Sequence, residues 1–428
     1  MYFCTININV IKMNRYIKVL IAIVVLYIGY STYLYIKEET TDWGHKVVVC
    51  IPVYGQSLAL GEEAIRITDF DSLRIKYDGR IVTENLDYEF GYYDEYLIKQ
   101  IFKRLLHYRK RSFELSVYKM AEKLTSKLGE DTIICIFPDG RGMSNIGKIN
   151  KPNKVYLKFL KEIHHAYIKA RSRGWEFYVP AVCWMQGESD IIDYTPYNYH
   201  EFLKKFCTDI NQDLKNITHQ KEEIPLICYQ SNVVTRATKF NPNDYDCIEM
   251  KPAQAIVSLI KNDSLFWASG PTYPYHIVNE KLHIDAKGQQ HIGELAAEAA
   301  LRIIRGGEKE YGVIPRSIST DRNIISVAFH VPSPPLVIDT ISVKVINHYG
   351  FSVITQGGED ILSGISVEGD TVKLVCSQSP QNSKVRYAVN GEKMKSGFEH
   401  GPRGNLRDSH PLRNWCYQFD MPILMGRQ

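Results

Sequence analysis

Three short blocks of this sequence contain residue types that can carry out acyl transfer. The first is Gly-Gln-Ser at 55–57, in which Ser57 stands just after an apolar, strand-like run. The second is Gln-Gly-Glu-Ser-Asp at 186–190, where the Gln186 amide follows another apolar run and can donate a hydrogen bond to an oxyanion. The third contains His283, three residues after Glu280 and just before a predicted helix.

These residue types fit nucleophilic catalysis by a serine. A serine hydroxyl becomes a nucleophile when a histidine takes its proton and a carboxylate fixes the tautomer of that histidine. Each block also has an ordinary structural explanation, because Ser and Asp are favoured helix N-caps, and Asp285 is placed for that role. Glu188 and Asp190 lie on one loop, which is a poor match to glycosidase carboxylates that flank a bond from opposite sides.

The elements that must position these blocks alternate between strands and helices from residue 45 to about residue 305. Near-continuous apolar strands separated by helices predict a parallel sheet covered on both faces. The segment 62–111 fits this alternation poorly and is interpreted as an insertion. The predicted strands are 46–54, 132–137, 176–184, 224–229 and 264–269, and the predicted helices are 112–128, 153–172, 198–216, 249–260 and 286–305.

Beyond residue 305 the pattern changes to short alternating polar and apolar segments separated by Gly-Gly, Gly-Asp, Ser-Pro and Asn-Gly turns. This pattern is typical of antiparallel strands. The sequence therefore predicts three parts: an N-terminal leader at 1–40, an α/β domain at 41–306 and a β-rich, sandwich-like domain at 307–428.

The leader combines a basic flank with an apolar run. Lys12, Arg15 and Lys18 precede residues 19–36, which carry no charge. A membrane-spanning helix needs roughly 20 apolar residues, with a lower limit of about 17. We therefore expect export, with either a membrane-anchoring helix or a cleaved signal peptide that leaves the protein periplasmic or extracellular.

The overall composition excludes several classes of protein. A net charge of +4, with no long basic run, does not fit a dedicated nucleic-acid binder. The nine cysteines include no C-x-x-C motif, and no His/Cys spacing typical of zinc is present, so neither a metal site nor a disulfide pairing is predicted.

The three blocks, in this chain order, resemble the SGNH hydrolases. The Trp-Met-Gln-Gly-Glu-Ser-Asp block at 184–190 is similar to the WxQGE pattern of the sialate O-acetylesterase-like carbohydrate esterases. The resemblance covers residues 45–305 and implies a flavodoxin-like, three-layer doubly wound sheet in the α/β domain.

The resemblance also implies roles for the site residues. Ser57 is expected to be the nucleophile and His283 the general base and then the general acid. The family usually places an Asp three residues before this histidine. Glu280 occupies that position here, and Asp285 is the alternative acid.

The expected oxyanion hole comprises the Ser57 backbone N–H, the Gln186 side chain and a glycine N–H after the second strand. Gly142 is preferred over Gly140 for that last donor. Three further residues near the blocks are expected to contact the substrate; they are Gln56, Glu188 and Tyr273.

The function implied by the resemblance is a serine esterase that removes O-acetyl groups from a glycan or polysaccharide, without a metal or an organic cofactor. Two alternatives remain open from the sequence. One is a hydrolase of lipid esters or thioesters on the same fold, and the other is a glycan-binding module without turnover.

Overall fold

The computed structural model describes most of the chain and covers the three blocks except for part of the third. The described residues are 15–40, 44–83, 113–193, 198–231, 241–247, 250–278, 282–392, 395 and 397–423. Most of the predicted insertion, residues 84–112, and the residues around Glu280 lie outside them.

Parallel strands form the centre of the α/β domain. Their hydrogen-bonded orders are β3-β4-β1-β6 and β5-β2-β7-β8-β9. Backbone bonds such as Ile51 N–H to Cys135 O, 2.9 Å, and Cys183 N–H to Pro52 O, 2.9 Å, join the two ladders into one surface. The strands are β1 Val47–Cys50, β2 Val53–Gly55, β3 Ile81–Val82, β4 Thr132–Cys135, β5 Pro138–Gly140, β6 Glu176–Tyr178, β7 Val182–Met185, β8 Leu226–Gln230 and β9 Phe266–Pro271.

Helices cover both faces of this surface because successive strand residues point in opposite directions. Val48 and Cys50 pack into one apolar cluster with three helices, whereas Val49 and Ile51 pack into a second cluster with three others. The first cluster contains α4 Lys154–Ser172, α6 Tyr199–Thr218 and α7 Lys251–Asn262, and the second contains α2 Phe70–Lys76, α3 Ser116–Lys127 and α8 Ala286–Ile304. The other described helices are α1 Arg15–Thr40 and α5 Glu188–Asp193. The predicted three-layer fold is confirmed.

The C-terminal part is antiparallel, as predicted, and has its own apolar core. Its strand orders are β10-β11-β15-β14, β13-β16-β18 and β12-β17. The strands are β10 Ile314–Asp321, β11 Ile324–His330, β12 Val337–Ile338, β13 Phe351–Ile354, β14 Leu362–Glu368, β15 Thr371–Cys376, β16 Lys384–Tyr387, β17 Leu406–Arg407 and β18 Phe419–Pro422.

This β-rich part is bonded directly to strands of the parallel sheet. The Gln230 side chain, at the end of β8, exchanges two hydrogen bonds of 2.8 Å with the backbone of Gln418. The Tyr417 hydroxyl accepts from the Gly270 N–H of β9 over 2.7 Å. These contacts brace the edge of the sheet at which β8 and β9 end.

The N-terminal leader forms α1, and its described apolar side chains, such as Leu20 and Leu26, are exposed. Within the part of the chain that the structure describes, no helix has the length and apolarity required to cross a membrane. The prediction of a membrane anchor is therefore not supported. Eight cysteines lie within the described residues, and all eight are buried.

Candidate active site

The site lies at the carboxyl edge of the parallel sheet, where open α/β sheets bind ligands. Strands β2, β5 and β7 end side by side there, with Gly55 in register with both Gly140 and Met185. A Cβ on Gly55 would lie 2.0 Å from the Met185 carbonyl oxygen, so only glycine allows these strands to approach so closely. Gly55 thus brings the turn after β2 against the loops after β5 and β7.

Ser57 and His283 form a hydrogen-bonded pair at this edge. The Ser57 Oγ lies 2.7 Å from His283 Nε2, although the two residues are far apart in sequence. Ser57 is buried, and its hydroxyl is therefore held where the histidine can accept its proton. The sequence-predicted nucleophile and base are brought together.

The other imidazole nitrogen bonds to a carboxylate that sequence reasoning missed. His283 Nδ1 lies 2.9 Å from Glu63 Oε2. This arrangement assigns the Nδ1 proton to the bond with Glu63 and leaves Nε2 free to accept from Ser57. Glu280, the acid named from the sequence, lies outside the described residues. The alternative acid, Asp285, caps α8 by accepting from the Gly288 N–H over 2.8 Å.

Backbone geometry explains how Glu63 reaches the histidine. After Ser57 the chain follows consecutive turns, in which the Leu60 and Glu62 N–H groups donate to the Ser57 carbonyl oxygen. Glu63 itself has a left-handed conformation, with φ 65°, which is uncommon for a residue with a Cβ. The sequence signal for this acid is the Glu62-Glu63 pair that follows the serine turn, which lies 220 positions from the histidine along the chain.

A short bridge holds His283 in place. Ile277 and Ile284 form an antiparallel β-bridge, and the Val278 N–H donates to the His283 carbonyl oxygen over 2.8 Å. The histidine backbone is therefore fixed on both sides immediately before α8 begins. This fixation limits the entropy that the side chain must lose when it bonds to Ser57.

The turn after β5 presents a backbone donor to the same place. The Gly140 N–H is bonded to Asp139 Oδ1, 2.8 Å, and the Arg141 N–H to the Gly55 carbonyl oxygen, 3.0 Å. Among the described residues, no acceptor takes the N–H of Gly142 or that of Ser57. Two backbone N–H groups near the serine thus have no acceptor among the described residues, and the preference for Gly142 over Gly140 stays a prediction.

Gln186 is buried and connects the loops around the site. Its Nε2 donates to the Ser144 carbonyl oxygen over 3.2 Å and also to Asp190 Oδ2, while its Oε1 accepts from Tyr199 over 2.8 Å. Asp190 Oδ2 also accepts from the Ile146 N–H over 2.9 Å. To donate to an oxyanion, as predicted, the Gln186 amide would have to release Ser144 or Asp190. In the present arrangement it positions the turn that carries Gly142.

The predicted substrate contacts Gln56 and Glu188 are both fully enclosed. Gln56 Oε1 accepts from the Ser189 N–H over 3.2 Å, which joins the first block to the second. Glu188 Oε2 accepts from the Tyr229 hydroxyl over 2.6 Å, and its other oxygen has no partner among the described residues. Burial raises the pKa of Glu188 to about 7. The hydrogen bond from Tyr229 lowers this pKa, but its effect is smaller than that of burial.

Tyr273 is enclosed in another part of the molecule, so the prediction that it contacts substrate has no support in this arrangement. Its side chain is wholly buried in the apolar core of the β-rich part. Its hydroxyl donates to the Cys416 carbonyl oxygen over 2.8 Å. The residue follows β9 at the strand edge, as expected, but its ring points into the junction with the C-terminal part. Within the described residues, no group of His, Cys, Asp and Glu side chains is arranged to hold a metal ion.

Known proteins are similar to this chain in sequence family and in fold. Residues 115–302 match the family described as carbohydrate esterase, sialic acid-specific acetylesterase. No curated protein matches the chain. A carbohydrate acetylesterase from Xanthomonas citri has a similar structure, with a TM-score of 0.57 and 14% identity over 87% of this chain and 80% of that one. At this identity the likeness supports the fold alone.

Two other solved structures are more distant. A protein from Arabidopsis thaliana has a TM-score of 0.40 and 16% identity over 59% of this chain and 97% of its own. The carbohydrate acetylesterase Est24 from Sinorhizobium meliloti has a TM-score of 0.33 and 12% identity over 60% of this chain and 99% of its own. Neither is similar enough to carry an argument. On the family match and the fold, this chain is a carboxylic ester hydrolase, and its residues 115–302 are similar to the sialic acid-specific acetylesterase family of carbohydrate esterases.

Proposed function

We propose that this protein hydrolyses O-acetyl esters of a carbohydrate through an acyl-enzyme on Ser57, with His283 as base and Glu63 as the orienting acid. One observation carries the proposal. An unbroken hydrogen-bonded chain runs from the Ser57 hydroxyl through both nitrogens of His283 to a carboxylate. The match to a carbohydrate esterase family supports the choice of a carbohydrate O-acetyl ester as substrate.

In the first step, the Ser57 hydroxyl attacks the carbonyl carbon of the acetyl group. Its proton passes to His283 Nε2, across the 2.7 Å that separates the two atoms. The imidazolium that results is stabilised by the Glu63 carboxylate, 2.9 Å from Nδ1. His283 then gives the proton to the departing sugar oxygen, and the acetyl group remains on Ser57.

The negative charge that develops on the carbonyl oxygen requires donors that are already in place. The Ser57 and Gly142 N–H groups are free among the described residues and are proposed to supply them. Ser144 and Ile146, both bonded to the Gln186–Asp190 pair, hold the Gly142 turn in position. Because the Gly142 turn is already held in place, its N–H group needs little reorganisation when the transition state forms.

In the second step, water attacks the acetyl-enzyme. His283 takes a proton from the water and returns one to Ser57 Oγ, which releases acetate and restores the starting state. The same two bonds to His283 serve both steps, because the imidazole exchanges its roles of base and acid. The bonded Ser57–His283–Glu63 chain also favours an enzyme over a glycan-binding module, which has no need of it.

Acetate release from a panel of O-acetylated glycans tests the proposal. We expect the wild type to release acetate from at least one of them and Ser57→Ala to release none above the uncatalysed rate. A lipid ester and an acyl thioester in the same panel test the alternative acyl acceptors. Turnover of those two alone would refute the carbohydrate assignment while keeping the nucleophile, and full turnover by Ser57→Ala would refute the nucleophile.

A further inference from the structure

A second carboxylate, that of Glu62, lies beside the proposed oxyanion donor. A Cβ on Gly142 would be only 2.7 Å from Glu62 Oε1, so the carboxylate lies against the turn that presents the Gly142 N–H. The Glu62 N–H donates to the Ser57 carbonyl oxygen over 3.1 Å, so the residue also belongs to the turn of the nucleophile. Glu62 is therefore held between Ser57 and the loop after β5.

The Glu62 carboxylate is not bonded within the described part of the fold. Its side chain is half-buried, and it forms no hydrogen bond or ion pair with any described residue. Glu63, the adjacent acid, is already bonded to His283. Arg141 is the cation on the neighbouring turn, and its side chain is exposed and makes no ion pair with Glu62. Glu62 thus leaves a charged acceptor available at the mouth of the site.

A negative charge at this position has a chemical cost for the proposed reaction. The tetrahedral intermediate places a negative charge on an oxygen bonded to the Gly142 N–H, and like charges at close range repel. A hydrogen-bond donor on the substrate removes much of that cost by satisfying the carboxylate. The hydroxyl groups of a sugar are such donors, and the carboxylate of an acidic sugar is not.

We propose that Glu62 is a specificity residue that selects neutral acetylated sugars. Its carboxylate accepts a hydrogen bond from a free hydroxyl next to the acetylated position and repels sugars that carry a carboxylate. The inference rests on the proposed function, since it concerns the same esterase site. The substrate class it names is neutral, in contrast to the acidic sugar in the description of the matching family.

The values of kcat/KM for three acetyl esters test this inference. The esters are a neutral sugar acetylated at one position with a free neighbouring hydroxyl, the same sugar fully acetylated, and an O-acetylated sialic acid. The proteins are the wild type, Glu62→Gln, which removes the charge, and Glu62→Ala, which also removes the acceptor. Glu130→Gln is the matched control, because Glu130 is an exposed acid just before β4, at the opposite edge of the sheet.

We expect the wild type to prefer the neutral partly acetylated sugar over the sialic acid ester by about tenfold or more, because two like charges at close range near a protein surface repel by at least the energy that corresponds to this factor. Glu62→Gln should reduce this ratio about tenfold, mainly through faster turnover of the sialic acid ester. Glu62→Ala should in addition lose the preference for a free hydroxyl over full acetylation, and Glu130→Gln should keep both ratios.

Two outcomes would overturn the inference. Ratios that stay the same in both Glu62 variants, with an active wild type and thermal unfolding like that of Glu130→Gln, would overturn the role of Glu62 alone. A wild type that prefers the sialic acid ester would do the same. If the wild type releases acetate from none of the three esters, the proposed function fails and this inference fails with it.

Discussion

Replacement of Glu63 by glutamine is the smallest change that tests the role of this residue in the proposed mechanism. The variant keeps the shape of the side chain and removes only its charge and one acceptor oxygen. The amide nitrogen introduced by Glu63→Gln can also donate to His283 Nδ1, which would place the imidazole proton on Nε2. In that tautomer the histidine cannot accept the Ser57 proton, so the base is lost although the residues remain in contact.

The expected loss follows from the geometry. A carboxylate and an imidazolium whose charges lie about 4 Å apart attract by about 4 kcal/mol at an effective dielectric constant of about 20. That value suits this pair because the Glu63 side chain is 34% exposed and His283 is 15% exposed. Since about 1.4 kcal/mol corresponds to a factor of ten in rate, the charge alone accounts for about 10³ in kcat. The wrong tautomer brings the loss towards the ~10⁴ seen for the equivalent change in serine proteases.

The assay is steady-state hydrolysis of 4-nitrophenyl acetate, with circular dichroism to confirm that each variant is folded. Glu280→Gln and Asp285→Asn are the matched controls, because these were the two acids named from the sequence. We expect kcat to fall by about 10³ to 10⁴ in Glu63→Gln and by less than tenfold in the other two. A folded Glu63→Gln with kcat within tenfold of the wild type would refute the assignment of Glu63. A 10³-fold loss in Glu280→Gln would return the role to that residue.

Two further predictions concern the buried acids of the second block. Asp190→Asn should lower the free energy of unfolding by about 2–3 kcal/mol in urea titrations and reduce kcat, because the carboxylate that binds Ile146 and Gln186 loses its charge. An unchanged kcat would show that catalysis does not depend on these contacts of Asp190. Burial raises the pKa of Glu188 from 4.5 to about 7, so the folded state binds that proton more tightly than the unfolded state and stability falls as pH rises through this window. The free energy of unfolding of Glu188→Gln relative to the wild type should therefore rise between pH 4.5 and 7 and approach a gain of about 3 kcal/mol above pH 7. A difference that stays constant across this pH range would contradict the explanation.

The order of elements in the α/β domain could be predicted because its strands are apolar and its helices are amphipathic. The five predicted helices correspond to α3, α4, α6, α7 and α8, with ends that differ by a few residues. The predicted strand 46–54 is divided into β1 and β2, and 176–184 into β6 and β7. Pro52 and Pro180 lie in the two interruptions and have no N–H to donate, which explains why the ladders break there.

Those residues of the candidate site that adjoin a strand or a helix could be predicted from the sequence. Ser57 follows β2 and His283 precedes α8, so the strand and helix patterns locate both residues. Asp285 was also expected to be an N-cap, and this is confirmed by its bond to Gly288. Glu63 was missed because its reach depends on a left-handed residue in a run of turns, which no periodicity reveals.

Tyr273 shows a different limit of sequence reasoning. A tyrosine after a strand end can face either the ligand or a neighbouring domain, and its position in the sequence is the same in both cases. The choice depends on the packing of residues such as Tyr387 and Trp415, more than a hundred positions away. Such long-range contacts cannot be read from a local pattern.

The central claim is that Ser57, activated by His283, is the nucleophile. Labelling of the intact protein with a fluorophosphonate probe, followed by peptide mass spectrometry, tests it most directly, because the probe phosphonylates only an activated serine. The account predicts one adduct, located on Ser57, which is absent in Ser57→Ala and forms far more slowly in His283→Ala. An adduct on another serine, or labelling that persists undiminished in Ser57→Ala, would contradict it.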